Sequence, residues 1–92
     1  MSDPVVHPVY VDAIQFVKGR RWCHLFCEDR AQLHAFAARL GLKRCWFHNA
    51  RWPHYDLTSR QRDMALKIGA KAADRATTCE IAARLERKKV AA

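Results

Sequence analysis

His54-Tyr55-Asp56 is the stretch of this chain best equipped for chemistry. In extended backbone, residues two apart face the same way, so an imidazole and a carboxylate spaced H-x-D can act on one ligand. Asp12 closes a short apolar run, Val9-Tyr10-Val11, and α/β sheets commonly place ligand contacts at strand ends. His24 projects from a second apolar run, residues 22–27. A carboxylate beside an imidazole is the usual equipment for proton transfer or for a hard divalent metal. In that reading Asp12 and Asp56 hold a cation or accept a proton, and His24 or His54 is a ligand or general acid. The plainer alternative is structural: Asp56 turns a loop while His54 packs on Trp52.

Arg60 and Arg62 add a second signal. Both fall in the first turn of a helix that Thr58 would cap, where cations oppose the helix dipole at a cost of a few tenths of a kcal/mol each. An anion at that N-terminus would reverse the sign, because free N–H groups and two guanidinium groups would converge on it. Thr58, Arg60 and Arg62 are therefore candidate phosphate contacts. The alternative is tolerance, since exposed arginines can swing away.

Other constellations are weaker. Cys23-x3-Cys27 with Cys45-x2-His48 suggests zinc, but residues four apart on a strand are about 13 Å apart, too far to share an ion. Residues 58–89 can be tried as a helix-turn-helix; Ala65-x3-Gly69 fits its opening, while Arg75 stands where an apolar residue belongs. His34 flanks an apolar helix stripe and reads as a half-buried histidine bonded to a core carbonyl. Trp22, Trp46 and Trp52 offer faces on which bases could stack, while at strand positions Trp22 and Trp46 read as core.

The elements that must place these residues alternate. Residues 9–12 and 22–27 read as strands joined by a connection over 13–21. Asp29 with Gln32 forms a capping box for a helix whose Leu33, Phe36, Ala37 and Leu40 make one stripe, ended by Gly41. Residues 42–48 read as a strand and 51–56 as a loop around Pro53. Thr58 with Gln61 opens a helix with Gln61, Met64, Ala65 and Ile68 on one face, stopped by Gly69. A brief strand over 70–74 follows. Thr77 with Glu80 opens a last helix, with Ile81, Ala82 and Leu85 inward and a basic end that suits the helix dipole. The order β-β-α-β-α-β-α predicts a single α/β domain: a small sheet of three to four strands packed by three helices. Its expected bounds are an N-terminal arm at 1–8, the domain at 9–89 and a C-terminal tail at 90–92.

Ninety-two residues suffice for one domain, and half are apolar, so a core forms without disulfides or structural metal. The net charge of +8 is uneven: residues 1–42 hold five Lys/Arg against four Asp/Glu, and residues 43–92 hold twelve against five. Such asymmetry marks either a surface that meets something acidic or a solvated basic face. No basic n-region or long apolar run opens the chain, and no stretch approaches a membrane span. Four cysteines in a chain with a sufficient core point to free thiols in a reducing cytoplasm.

Several blocks together, VYVD at 9–12, GR at 19–20, W-x-HL at 22–25, LHAFAARLGL at 33–42, WF at 46–47, PHYDLT at 53–58 and GA at 69–70, resemble the bacterial and phage domain-of-unknown-function family numbered 4031. The resemblance implies a compact domain with Asp12, His24, His34, His54, Asp56 and Arg60 in or against its motif blocks, and it implies no activity. The expected function is binding of a phosphate-bearing ligand, nucleotide or nucleic acid, at a His/Asp/Arg site. Hydrolysis and a divalent metal are left open, since no nucleophile motif or phosphate loop is present. The alternative from another class is a non-enzymatic accessory or inhibitor protein docking its basic face on an acidic partner. Convergence of the His and Asp groups favours the first; scattering them, with a broad exposed patch, favours the second.

Overall fold

The computed structural model describes residues 6–91; residues 1–5 of the expected arm and residue 92 of the expected tail lie outside them. The chain forms a mixed α/β domain with strands β1 (Val9–Val11), β2 (Gln15–Val17), β3 (Arg20–Cys27), β4 (Phe47–Asn49), β5 (Pro53–Leu57) and β6 (Lys71–Ala72). Helices α1 (Arg30–Arg39), α2 (Ser59–Lys67) and α3 (Arg75–Ala91) complete it, so α3 continues past the expected boundary at 89. The sheet runs β4-β5-β3-β1-β6, antiparallel except for the parallel β1–β6 pair, with β2 hairpinned onto the first half of β3.

Six strands replace the expected three to four. One addition, β2, lies in the segment read as a connection. It turns into β3 through Lys18 and Gly19, both at positive φ (50° and 78°), the backbone that a two-residue hairpin requires. The other, β5, lies where Pro53 suggested a loop. Pro53 is the first residue of that strand, a position that tolerates a missing N–H. Its true signature is alternation: Pro53, Tyr55 and Leu57 are buried, while His54 and Asp56 are only half-buried. Residues 42–48 are less regular than expected, with a 3-10 turn at Arg44–Trp46 before β4.

The helix ends follow their caps. Asp29 accepts from Gln32 N at 2.9 Å, although the Gln32 side chain turns to His7 N instead of closing the box. Thr58 and Gln61 bond reciprocally. α3 starts earlier than Thr77, because Asp74 is the better-placed cap and accepts from Thr77 N at 2.7 Å.

Two cores flank the sheet. Val9, Val11, Cys23, Leu25, Tyr55 and Leu57 meet Leu33, Phe36 and Ala37 of α1 and Ala65 of α2 on one face. On the other face Phe26 meets Ala73, Ile81 and Leu85, with Tyr10 and Trp52 against them. Met64 and Trp46 are corrections: both are nearly half exposed, and Trp22 is half-buried. α2 buries Ala65 and packs Leu66 partly against the core, leaving Met64 outward, and Trp46 sits in the 3-10 turn outside any strand. All four cysteines are free, and no helix among the described residues is long and apolar enough to cross a membrane.

Candidate metal centre

The register of three strands gathers the polar groups. β3 and β5 pair with His24 opposite Asp56, and β4 and β5 pair with His48 opposite His54. Residues in direct register face the same side of a sheet, so all four side chains rise from the face that α3 covers only in part. His24, His54 and Asp56 each offer one donor atom, and those atoms lie within 4.8 Å of one another. Among the described residues this is the one group of three or more His, Cys, Asp or Glu so arranged.

Asp12 stands behind His24. Only 4% exposed, its carboxylate accepts from His24 N and from His24 Nδ1, both at 2.6 Å, and from Gln15 Nε2 at 3.1 Å. A carboxylate with three donors on it has little left for a ligand, so the geometry makes Asp12 a positioning residue for the His24 ring. Because a carboxylate only accepts, the proton of neutral His24 sits on Nδ1 and Nε2 is left with its lone pair. The Asp12 hydrogen bond raises the His24 pKa above its ordinary value, against the lowering effect of burial.

His54 is fixed in the same sense by different means. Its Nδ1 donates to the Trp52 carbonyl at 2.8 Å. Nε2 then carries the lone pair, yet it faces Asp56 Oδ1 at 3.4 Å. Two acceptors turned toward each other repel unless a proton or a metal cation lies between them. Burial, the largest influence, pushes the His54 pKa down, helped by His24 and His48 and opposed by the Trp52 carbonyl and Asp56, and the net direction is downward. The arrangement is that of a metal-ligating histidine, whose second nitrogen is held by a carboxylate or carbonyl. Two imidazoles and one carboxylate suit a divalent transition ion and leave coordination positions open.

Rings pack around the cluster. Trp52 lies 5.0 Å from His24 and 4.7 Å from His54, centroid to centroid, and His48 stacks on His54 at 5.2 Å. His48 Nε2 reaches the other Asp56 oxygen at 3.1 Å. His48 figured in the sequence only within the cysteine pattern; its place beside His54 depends on the β4–β5 pairing, which no local signal announces. Gln15 was missed for the same reason.

The expected anion clamp on α2 is not assembled. Thr58 is committed to Gln61, and Arg62 Nε donates to the Asp12 carbonyl at 2.8 Å, tying α2 to the end of β1. Arg60 alone of the three is solvent-facing and without such a commitment among the described contacts. Internal hydrogen bonds thus offset the charge at this helix start. The cysteine site also fails: Cys23 and Cys27 are buried on the face opposite His48, and burial pushes the Cys23 thiol up to about 12. β6 separates α2 from α3 and pairs with β1, which rules out a helix-turn-helix. His34 bonds the Tyr55 hydroxyl at 2.7 Å rather than a core carbonyl.

Two clefts open beside the cluster. One, of about 310 Å³, is lined by Gln15, Val17, Trp22, His24, His54 and Asp56. The other, of about 420 Å³, includes Gln15 and His24 again, with Asp12, Trp52, Arg75 and Thr78.

No curated protein and no solved structure matches this chain. The family described as protein of unknown function (DUF4031) matches residues 9–87, which spans β1 through most of α3 and includes every residue of the centre. The chain belongs to the DUF4031 family.

Proposed function

We propose that this protein binds a divalent transition-metal ion through His24, His54 and Asp56 and uses it to hold and hydrolyse a phosphate-bearing ligand. The observation that carries this reading is His54 Nε2 facing Asp56 Oδ1 at 3.4 Å while Nδ1 is held by the Trp52 carbonyl, with His24 inside the same 4.8 Å group. Two neutral imidazoles and one carboxylate leave a divalent ion with a net positive charge, which suits a phosphate. When bound, such an ion supplies Lewis-acid polarisation of a phosphoryl oxygen. The chain's own residues do the rest. Asp12 holds His24 in one tautomer, the Trp52 carbonyl holds His54, and the half-exposed His48 stands on the free side of Asp56, where it can pass a proton to a leaving oxygen. Arg75, on the second cleft, is the guanidinium placed to neutralise phosphate.

Metal-depleted protein titrated with Zn²⁺ or Co²⁺ by calorimetry tests the centre. One ion per chain is expected, with Co²⁺ giving visible d–d absorption. At ligand a hundredfold above Kd, binding should stabilise the fold by about 2.7 kcal/mol. His54→Ala should abolish both signals. A titration identical in wild type and His54→Ala would refute the proposal.

A further inference from the structure

The β2–β3 hairpin is not explained by the fold. β2 is exposed along its whole length, with Phe16 at 73% exposure. Residues 13–27 contain no Asp or Glu, while Lys18, Arg20 and Arg21 cluster at and after the turn. Aromatic and basic side chains interleaved without acids are the composition that grips a single-stranded nucleic acid, aromatics for base faces and cations for phosphates. The hairpin is also in the right place. Arg20, Trp22 and His24 alternate onto one face of β3, and Val17 and Trp22 wall the same cleft as His24, His54 and Asp56. Past His24 the second cleft continues to Trp52 and Arg75, sharing Gln15 and His24 with the first. The hairpin side thus offers Trp22, with Arg20 on the same face of β3, and the far side offers Trp52 and Arg75.

We infer that the ligand is a single-stranded nucleic acid, led along the β2–β3 hairpin so that one of its phosphodiesters lies at His24, His54 and Asp56. The inference deepens the phosphate-ligand reading above and rests on it for what happens at the metal. A free nucleotide would fill one cleft and leave the hairpin unused; a strand fills both. Duplex DNA hides the base faces that Trp22 and Trp52 would meet. A second copy of this chain is a poorer occupant, because β2 is only three residues long and its hairpin would bring like charges together.

The test is fluorescence anisotropy with labelled single-stranded deoxythymidine and uridine oligomers of roughly 12 nucleotides. It is run in EDTA, so that hairpin binding is measured apart from metal binding. Wild type should bind at least one of the two oligomers, and comparing them separates DNA from RNA. Arg20→Gln/Arg21→Gln should weaken binding at least tenfold and reduce the slope of log K against log salt by about 1.4. Trp22→Ala, at the wall of the cleft, should weaken it about fivefold or more. Arg20 and Arg21 are exposed and Trp22 is half-buried, so the arginine variant should keep the wild-type circular dichroism and melting. Arg87→Gln/Lys88→Gln on α3 removes the same charge and should change affinity less than twofold. Failure of wild type to bind, equal weakening by both double variants, equal affinity for a duplex, or a self-association that Phe16→Ala dissolves would each overturn the inference. A protein that binds metal but no oligomer loses this inference and keeps the metal centre; the converse loses the metal and keeps the hairpin.

Discussion

The two faces of the sheet are built from the same strands and do opposite things. On β3, Cys23, Leu25 and Cys27 point to one side and are sealed beneath α1 and α2; Trp22, His24 and Phe26 point to the other. On β5 the same split sets Tyr55 and Leu57 against His54 and Asp56. α3 covers part of the second face, setting Ile81 and Leu85 on Phe26 and Ala73 with Tyr10 and Trp52 against them. Where that cover stops, the imidazoles and carboxylates begin. A strand with one face fully buried holds its register firmly, since a slip of one residue would turn Leu25 and Tyr55 to solvent. The apolar face therefore acts as the ruler that sets His24 opposite Asp56.

The sharpest contrast between the faces should be thiol reactivity. Cys45 and Cys79 are exposed, whereas Cys23 and Cys27 are buried and their thiols are pushed upward mainly by burial. In native protein, mass spectrometry after maleimide treatment should find the buried pair labelled on the order of a thousandfold more slowly. Four fast sites would mean that the first face is not sealed. Next in size is Leu25→Ala, at a wholly buried position, which should cost about 2–5 kcal/mol in urea unfolding. Metal affinity measured well below the melting point should change little, because the residue supports the register without touching the site. A loss of metal binding in a still-folded Leu25→Ala protein would show that the faces are coupled more tightly than the alternation implies.

Asp12→Asn acts on the second face. It keeps the volume but replaces the carboxylate that orients His24, and metal affinity should fall 10–100-fold, as for other partners behind a ligating histidine. Unaltered affinity would mean that Asp12 serves only the fold. The smallest effect should come from Asp29→Ala, which removes the cap of α1 and should cost about 1 kcal/mol without touching either the metal or the hairpin. A larger loss would assign α1 a greater share of the first core than Leu33, Phe36 and Ala37 suggest.

Much of this molecule is written locally. Capping residues at Asp29 and Thr58, the stops at Gly41 and Gly69, and the stripe Leu33-Phe36-Ala37 all involve neighbours within a few positions, so the helices were legible residue by residue. The common facing of His54 and Asp56 was legible too, because alternation is a property of a strand by itself. What the chain order could not state was who lies beside whom. His48 joins His54, and His24 meets Asp56, only through pairings between segments far apart in sequence. Pro53 makes residues 51–56 read as a loop, although the buried Tyr55 and Leu57 that follow mark a strand. The clamp expected from Arg60 and Arg62 dissolved for the same reason: Arg62 reaches Asp12, fifty positions away, and that contact outweighs the dipole at its own helix start. Short-range hydrogen bonds and periodicity determine the elements; burial of one sheet face, a property of the whole chain, decides their register and with it the site.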